Sequence, residues 1–219
     1  MNDLDGDSLE KALSRHQIEL PADQIERLQQ YCGLLWSWNE KLNLTRHIDF
    51  ERFVTRDVVD SLQLAALLHP HEEVLDVGTG GGVPGIILAI VRPDLQMSLC
   101  ESVGKKARAV DNIVQELELR VPFFQGRAED ILEDFRFDAI VARAVGSLWK
   151  MLKWFEPHWL SVGRLLAVKG PKWVEERNEA RERGYLKKLQ LRRAVSYPVV
   201  GADFESVILK IWPEGVEEK

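Results

Sequence analysis

The spacing of hydrophobic positions along this 219-residue chain changes once, near residue 72. Before that point apolar residues recur at helical intervals. Leu9, Leu13 and Ile18 line one side of a short helix over 8–17, for which Ser8 is a natural cap. Pro21 stands where helices begin, and Ile25, Leu28, Cys32, Leu35 and Trp36 predict a second helix ending near Glu40. Phe50, Phe53, Val54, Val58, Leu62, Ala65 and Leu68 predict a third, stopped by His69-Pro70-His71. Beyond residue 72 short apolar runs alternate with helical stretches. Strands are expected at 74–77, 96–101, 121–125, 137–142 and 164–169, with helices over 84–91, 105–117, 128–133, 148–159 and 172–183. That alternation implies an α/β fold whose parallel sheet is covered on both faces. The last two strands, 189–197 and 206–212, are joined by a connection too short for a parallel crossover, so they form an antiparallel pair at the sheet edge. The expected division is a helical extension over 1–71, packed on a sheet domain over 72–219.

The first strand leads into the most informative stretch. Val74-Leu75-Asp76-Val77 runs into Gly78-Thr79-Gly80-Gly81-Gly82-Val83-Pro84-Gly85, and a buried helix follows. Strand, glycine loop and helix together open a pocket for a nucleotide-like cofactor. A dinucleotide fingerprint, GxGxxG, fails when counted from Gly78, because its third glycine falls on Val83. Counted from Gly80 the string fits, but then the motif starts late, and Pro84 occupies a slot where a free N–H would meet a pyrophosphate. Asp76 followed by Gly78-Thr79-Gly80 instead has the form of an S-adenosylmethionine (SAM) site. SAM has no phosphate but carries a positive amino group and a sulfonium, which favour a carboxylate; Asp76 is the candidate. Glu101 ends the second strand, where a carboxylate meets ribose hydroxyls of either cofactor class. Ala128 and Glu129 follow the third strand and are expected at the adenine edge. Arg143 ends the fourth strand, where a cation would anchor a methionine carboxylate or an RNA phosphate.

Composition narrows the class. Hydrophobic residues make up 45% and charged residues 29%, which suits a soluble protein with a sizeable core. No apolar run reaches membrane-spanning length, and the acidic N-terminus lacks the order of a signal peptide, so a cytoplasmic protein is expected. The two cysteines, Cys32 and Cys100, form no CxxC, and neither a metal site nor a redox motif is expected. A net charge of −6 argues against indiscriminate nucleic-acid binding but leaves room for a local basic face. Two candidates for such a face are Lys105, Lys106 and Arg108, and the cluster Arg181, Arg183, Lys187, Lys188, Arg192 and Arg193. Trp149, Trp154, Phe155 and Trp159 are expected to pack in the core. One of Trp36 and Trp38 is expected near the site.

Several stretches resemble a known family. Trp38-Asn39-Glu40-Lys41-Leu42-Asn43-Leu44-Thr45, Asp60-Ser61-Leu62, the Asp76–Gly80 loop with Val83-Pro84-Gly85-Ile86, Arg92-Pro93, Ala142-Arg143-Ala144-Val145 with Ser147, and Val168-Lys169-Gly170 occur in family order. The chain thereby resembles the RsmG (GidB) family, SAM-dependent enzymes that methylate a guanine N7 in bacterial 16S rRNA. The resemblance implies a Rossmann-like class I SAM-dependent methyltransferase fold, with a mostly parallel seven-stranded sheet and an antiparallel closing strand. It implies cofactor contacts at Gly78, Val83, Ala128, Glu129 and Arg143, to which the loop motif adds Gly80, and 16S rRNA or the small ribosomal subunit as partner; a monomer is expected. Three positions depart from the family pattern: Asp57 stands where the family usually has histidine, Gly146 for alanine and Gly81 for proline.

Guanine N7 carries a lone pair and no proton, so its methylation needs alignment and no general base. None of the five histidines is assigned as a catalytic acid or base. Asn39, Asn43, Arg56 and Lys169 are expected on the RNA side. Competing readings are a SAM-dependent methyltransferase of another RNA, a protein or a small molecule, an NAD-dependent oxidoreductase, and a non-catalytic ribosome-assembly factor.

Overall fold

A computed structural model describes residues 7–216; the acidic segment 1–6 lies outside the described residues. Helix α1 (Leu9–Arg15) is capped by Ser8, whose hydroxyl accepts from the Lys11 N–H at 3.2 Å. Helix α2 (Ala22–Asn39) follows Pro21. A continuous helical run then comprises α3 (Phe50–Arg52), a π-helical segment (Phe53–Val58) and α4 (Val59–Ala65). The third helix of the sequence thus forms, with a wide turn in its middle. Such π turns recur at functional sites, and this one carries Arg56 and Asp57.

The sheet follows as β1 (Glu73–Val77), β2 (Gln96–Glu101), β3 (Phe123–Gln125), β4 (Phe137–Arg143), β5 (Val162–Lys169), β6 (Leu189–Pro198) and β7 (Glu205–Pro213). The intervening helices are α5 (Gly85–Val91), α6 (Gly104–Glu116), α7 (Ala128–Asp134), α8 (Leu148–Phe155) and α9 (Trp173–Glu182). Strand order is β3-β2-β1-β4-β5-β7-β6, with β7 antiparallel to both neighbours and the other adjacent pairs parallel. This is the predicted α/β layout, including the reversed strand. Two boundaries move for a physical reason. β3 begins at Phe123 because Pro122 has no N–H to give the ladder. α8 stops at Phe155 and passes into a 3₁₀ turn, Glu156–His158, that contains Pro157.

The central strands of the sheet are buried on both faces, and the edge strand β6 is largely exposed. Leu75, Val77, Ile140, Leu165 and Leu209 face α7, α8 and α9 through Ile131, Leu152, Phe155 and Ala180. Val74, Ala139, Val141, Leu166 and Ile208 face the opposite side, with Leu64 of α4 and Leu88 of α5. The N-terminal helices share a third cluster, in which Leu9, Leu28, Tyr31 and Leu35 meet Ile86, Ile87, Val110 and Ile113 of α5 and α6. Cys32 and Cys100 are buried free thiols, both pushed up in pKa by burial. No helix among the described residues is long and apolar enough to cross a membrane.

Candidate functional site

The glycine loop leaves the C-terminal end of β1, where open α/β sheets hold their ligands. Gly78 has φ +64°, and a Cβ there would lie 3.2 Å from the Val145 methyls. Gly85 opens α5 so close to β2 that a Cβ would lie 2.1 Å from Leu99 and 2.7 Å from Asp76. These positions demand glycine for backbone freedom and for close approach respectively.

Asp76 ties the loop from beneath. Its Oδ2 accepts from the Thr79 hydroxyl at 2.6 Å and from the Gly85 N–H at 2.8 Å. Its Oδ1 is buried without a partner, and complete burial pushes the carboxyl up to about 6 against the opposing pull of those two donors. Asp76 does not line the cavity above the loop. The structure puts it to work as the loop's internal staple, where the sequence offers it to the cofactor directly or through water. Glu101 acts from the neighbouring strand: Oε2 accepts from the Gly80 N–H at 3.1 Å and Oε1 from the Val103 N–H at 2.8 Å.

Above the loop lies a cavity of about 430 Å³, within the range of small-molecule sites. Gly78, Gly80 and Val83 form its floor, Glu101 stands at one side, and Ala128, Glu129, Arg127 and Lys106 form its far wall. Arg143, Ala144, Val145 and Trp154 close the other end, and Leu44 and Thr45 border it from the turn after α2. Seven of the eight expected cofactor residues therefore converge on one cavity, Asp76 being the exception. Ala144 has φ +58°, an uncommon conformation for a residue with a Cβ, at the mouth of this cavity.

Arg143 is not a free cation. Its Nη2 donates to Asp57 Oδ1 at 2.5 Å, and its Nη1 to Asp60 Oδ2 at 3.0 Å and to the Arg56 carbonyl at 3.2 Å. His47 Nδ1 lies 2.8 Å from the same Asp57 oxygen, and the Tyr197 hydroxyl donates to Asp60 Oδ1 at 2.7 Å. Burial opposes the guanidinium's charge, and the two carboxylates more than offset it, so its pKa is raised. Asp57 is fully buried as the hinge of this network.

A second cavity of about 420 Å³ adjoins the first, with Arg143 and Ala144 common to both. His47, Arg56, Lys169, Glu176 and Ser206 line it. Arg56 and Lys169 thus line the same cavity. Asn39 does not join them: its Oδ1 accepts from the Leu44 and Thr45 N–H groups at 2.8 and 3.0 Å and holds the turn. Asn43 is exposed on that turn and lines neither cavity. Asn39 is legible in the motif, but its side chain serves the turn's shape. Sequence reasoning missed Trp154 at the first cavity and His47, Glu176 and Ser206 at the second. Trp154 also packs on the core as expected, and a helix pattern does not distinguish the two roles. Trp36 donates from its indole N–H to the His47 carbonyl at 2.8 Å, so it supports the second cavity indirectly.

A model of the GidB family, described as rRNA small subunit methyltransferase G, matches residues 24–200. The ribosomal RNA small subunit methyltransferase G of Rhodopirellula baltica is 56% identical over 188 residues, covering 86% of this chain and 81% of that protein. Its namesake from Psychromonas ingrahamii is 33% identical over 208 residues, covering 94% and 97%. Among solved structures, a methyltransferase from Pyrococcus furiosus superposes with a TM-score of 0.58 at 13% identity, over 82% of this chain and 96% of that one. M. capricolum TrmK in complex with S-adenosyl-homocysteine gives 0.55 at 13% identity, over 73% and 71%. The structural likenesses show the fold; the sequence matches show that this chain belongs to the GidB family, the rRNA small subunit methyltransferases G.

Proposed function

We infer that the chain transfers the methyl group of SAM to N7 of a guanine in the 16S rRNA of the small ribosomal subunit. The observation that carries this reading is the pair of adjoining cavities, one built on a glycine loop and one lined by Arg56 and Lys169, with Arg143 and Ala144 as their common wall. The residues of the first cavity fit SAM. Bare backbone at Gly78 and Gly80 lets a ligand lie against the main chain, and Glu101 offers carboxylate lone pairs to ribose hydroxyls. Arg143, which alone would repel a sulfonium, is compensated by Asp57 and Asp60.

When bound, SAM supplies a methyl carbon whose bond to sulfur breaks as the bond to N7 forms, leaving a neutral thioether and a cationic purine. No proton moves, so the protein's task is to hold the two reactants in line. Carboxylates near the purine favour the charge that appears on it. We propose further that the chain acts as a monomer in the cytoplasm; light scattering of the purified protein tests the first statement.

The experiment is transfer of tritium from methyl-labelled SAM to small-subunit particles from a strain lacking the gene, in parallel with naked 16S rRNA. Label in one guanosine, located by mass spectrometry, is the expected result. No transfer to either substrate overturns the reading. Transfer that survives replacement of the target by 7-deazaguanosine overturns the N7 assignment.

A further inference from the structure

We propose that Glu176 recognises the target guanine, accepting hydrogen bonds from its N1–H and N2–H₂ groups and stabilising the charge that methylation creates; the proposal rests on the guanine-N7 reading above. Glu176 stands in the first turn of α9 and lines the second cavity, with its side chain 27% exposed. One of its oxygens is fixed. Oε2 accepts from the Lys169 ammonium at 2.8 Å and from the Leu148 N–H at 2.8 Å, and Lys169 is itself anchored on the Gly146 carbonyl at 2.6 Å. The other oxygen, Oε1, has no partner among the described residues. Asp60, the other acid of this cavity, has both oxygens engaged, by Arg143 and Tyr197. Glu176 is therefore the carboxylate here that retains an unused acceptor, held by a buried lysine and a helix start.

The chemistry of the base matches that placement. A guanine whose N7 faces the shared Arg143–Ala144 wall directs its opposite edge into the second cavity. That edge carries N1–H and N2–H₂, which are donors. Adenine presents a lone pair at N1 instead, and a carboxylate facing it would be left unpaired. Methylation at N7 makes the ring cationic and its N1–H a stronger donor. The contact is therefore stronger in the transition state than in the ground state, which makes Glu176 a contributor to rate as well as to selectivity.

The test compares particles carrying guanosine at the target with particles carrying inosine, which keeps N7 and N1–H but lacks the 2-amino group. The wild-type protein is expected to lose about tenfold to a hundredfold in kcat/KM on inosine, the range for a hydrogen bond to a charged group. Glu176→Gln keeps the size and an oxygen for Lys169 and Leu148. It is expected to lower kcat on guanosine by about a hundredfold, to bring the guanosine-to-inosine ratio close to one, and to leave SAM affinity by calorimetry unchanged. Glu175→Gln, on the exposed neighbour, changes none of these. A wild-type ratio near one overturns the proposal, and so does a Glu176→Gln protein that keeps the wild-type ratio. If the variant does not fold in a thermal melt, the wild-type ratio decides alone. Absence of transfer by the wild-type protein to either substrate instead defeats the functional reading on which the proposal stands.

Discussion

At the scale of single residues, Gly78 and Asp76 show two ways in which a motif position is fixed. At Gly78 the backbone sits at φ +64° against Val145, so any side chain meets both strain and contact. Gly78→Asp is expected to abolish measurable SAM binding by calorimetry while the far-ultraviolet circular dichroism stays that of the wild type. At Asp76 the constraint is electrostatic. The folded carboxyl titrates near 6, above its ordinary 3.8, so the folded state holds the proton more tightly than the unfolded chain. Ionisation of Asp76 therefore costs stability. The cost is absent below about pH 4, grows as pH rises and is complete above about pH 6, where it is on the order of 3 kcal/mol. Glu72 works in the opposite sense: burial pushes it up, but its pairing with Arg164 prevails and holds it low. Asp76→Asn is expected to flatten the fall in Tm between about pH 4 and pH 6 relative to wild type; a fall as steep as before would disprove it. The sequence marks Asp76 as an acid at a strand end. It does not tell whether the carboxylate points up at a ligand or down at Thr79 and Gly85, because both serve the same loop.

At the scale of elements, the strands and most helices are legible because burial on two faces writes continuous apolar runs between glycine and proline breaks. The π turn over Phe53–Val58 is not, since its apolar spacing is that of an ordinary helix. Yet that turn brings Asp57 to Arg143 at the end of β4 and so joins the N-terminal helices to the sheet at the wall between the cavities. Arg143→Ala would leave Asp57 and Asp60 buried without their cation. We expect a loss of about 3–5 kcal/mol in urea denaturation, in addition to any loss of methyl transfer. Arg143→Ala with adjoining Asp57→Asn and Asp60→Asn changes should recover much of that stability without recovering activity. From sequence alone Arg143 stands as an available anchor, because its partners come from a helix more than eighty residues earlier and no local pattern announces them.

At the scale of the whole molecule, the helical extension and the sheet domain are separable as a pattern but share a core. Ile86, Ile87, Val110 and Ile113 of the sheet domain are covered by Leu9, Leu28, Tyr31 and Leu35. We propose that residues 72–219 do not stand alone: a chain truncated before residue 72 should be recovered only in the insoluble fraction or bind a hydrophobic dye strongly, since it would expose that apolar face to water. A truncated chain that melts cooperatively would show instead that the extension is a dispensable cover. One contact carries a further consequence. The Tyr31 hydroxyl, fully buried in α2, donates to the Gly81 carbonyl at 2.9 Å, and Leu35 of the same helix packs beneath that glycine. The glycine loop is thereby fastened to a helix some fifty residues upstream. Any ligand that settles the loop lowers the frequency with which α2 opens, by linkage. Amide hydrogens of α2, of whose residues only Leu35 lines the first cavity, should exchange with deuterium more slowly when SAM is added, and Tyr31→Phe should uncouple the two.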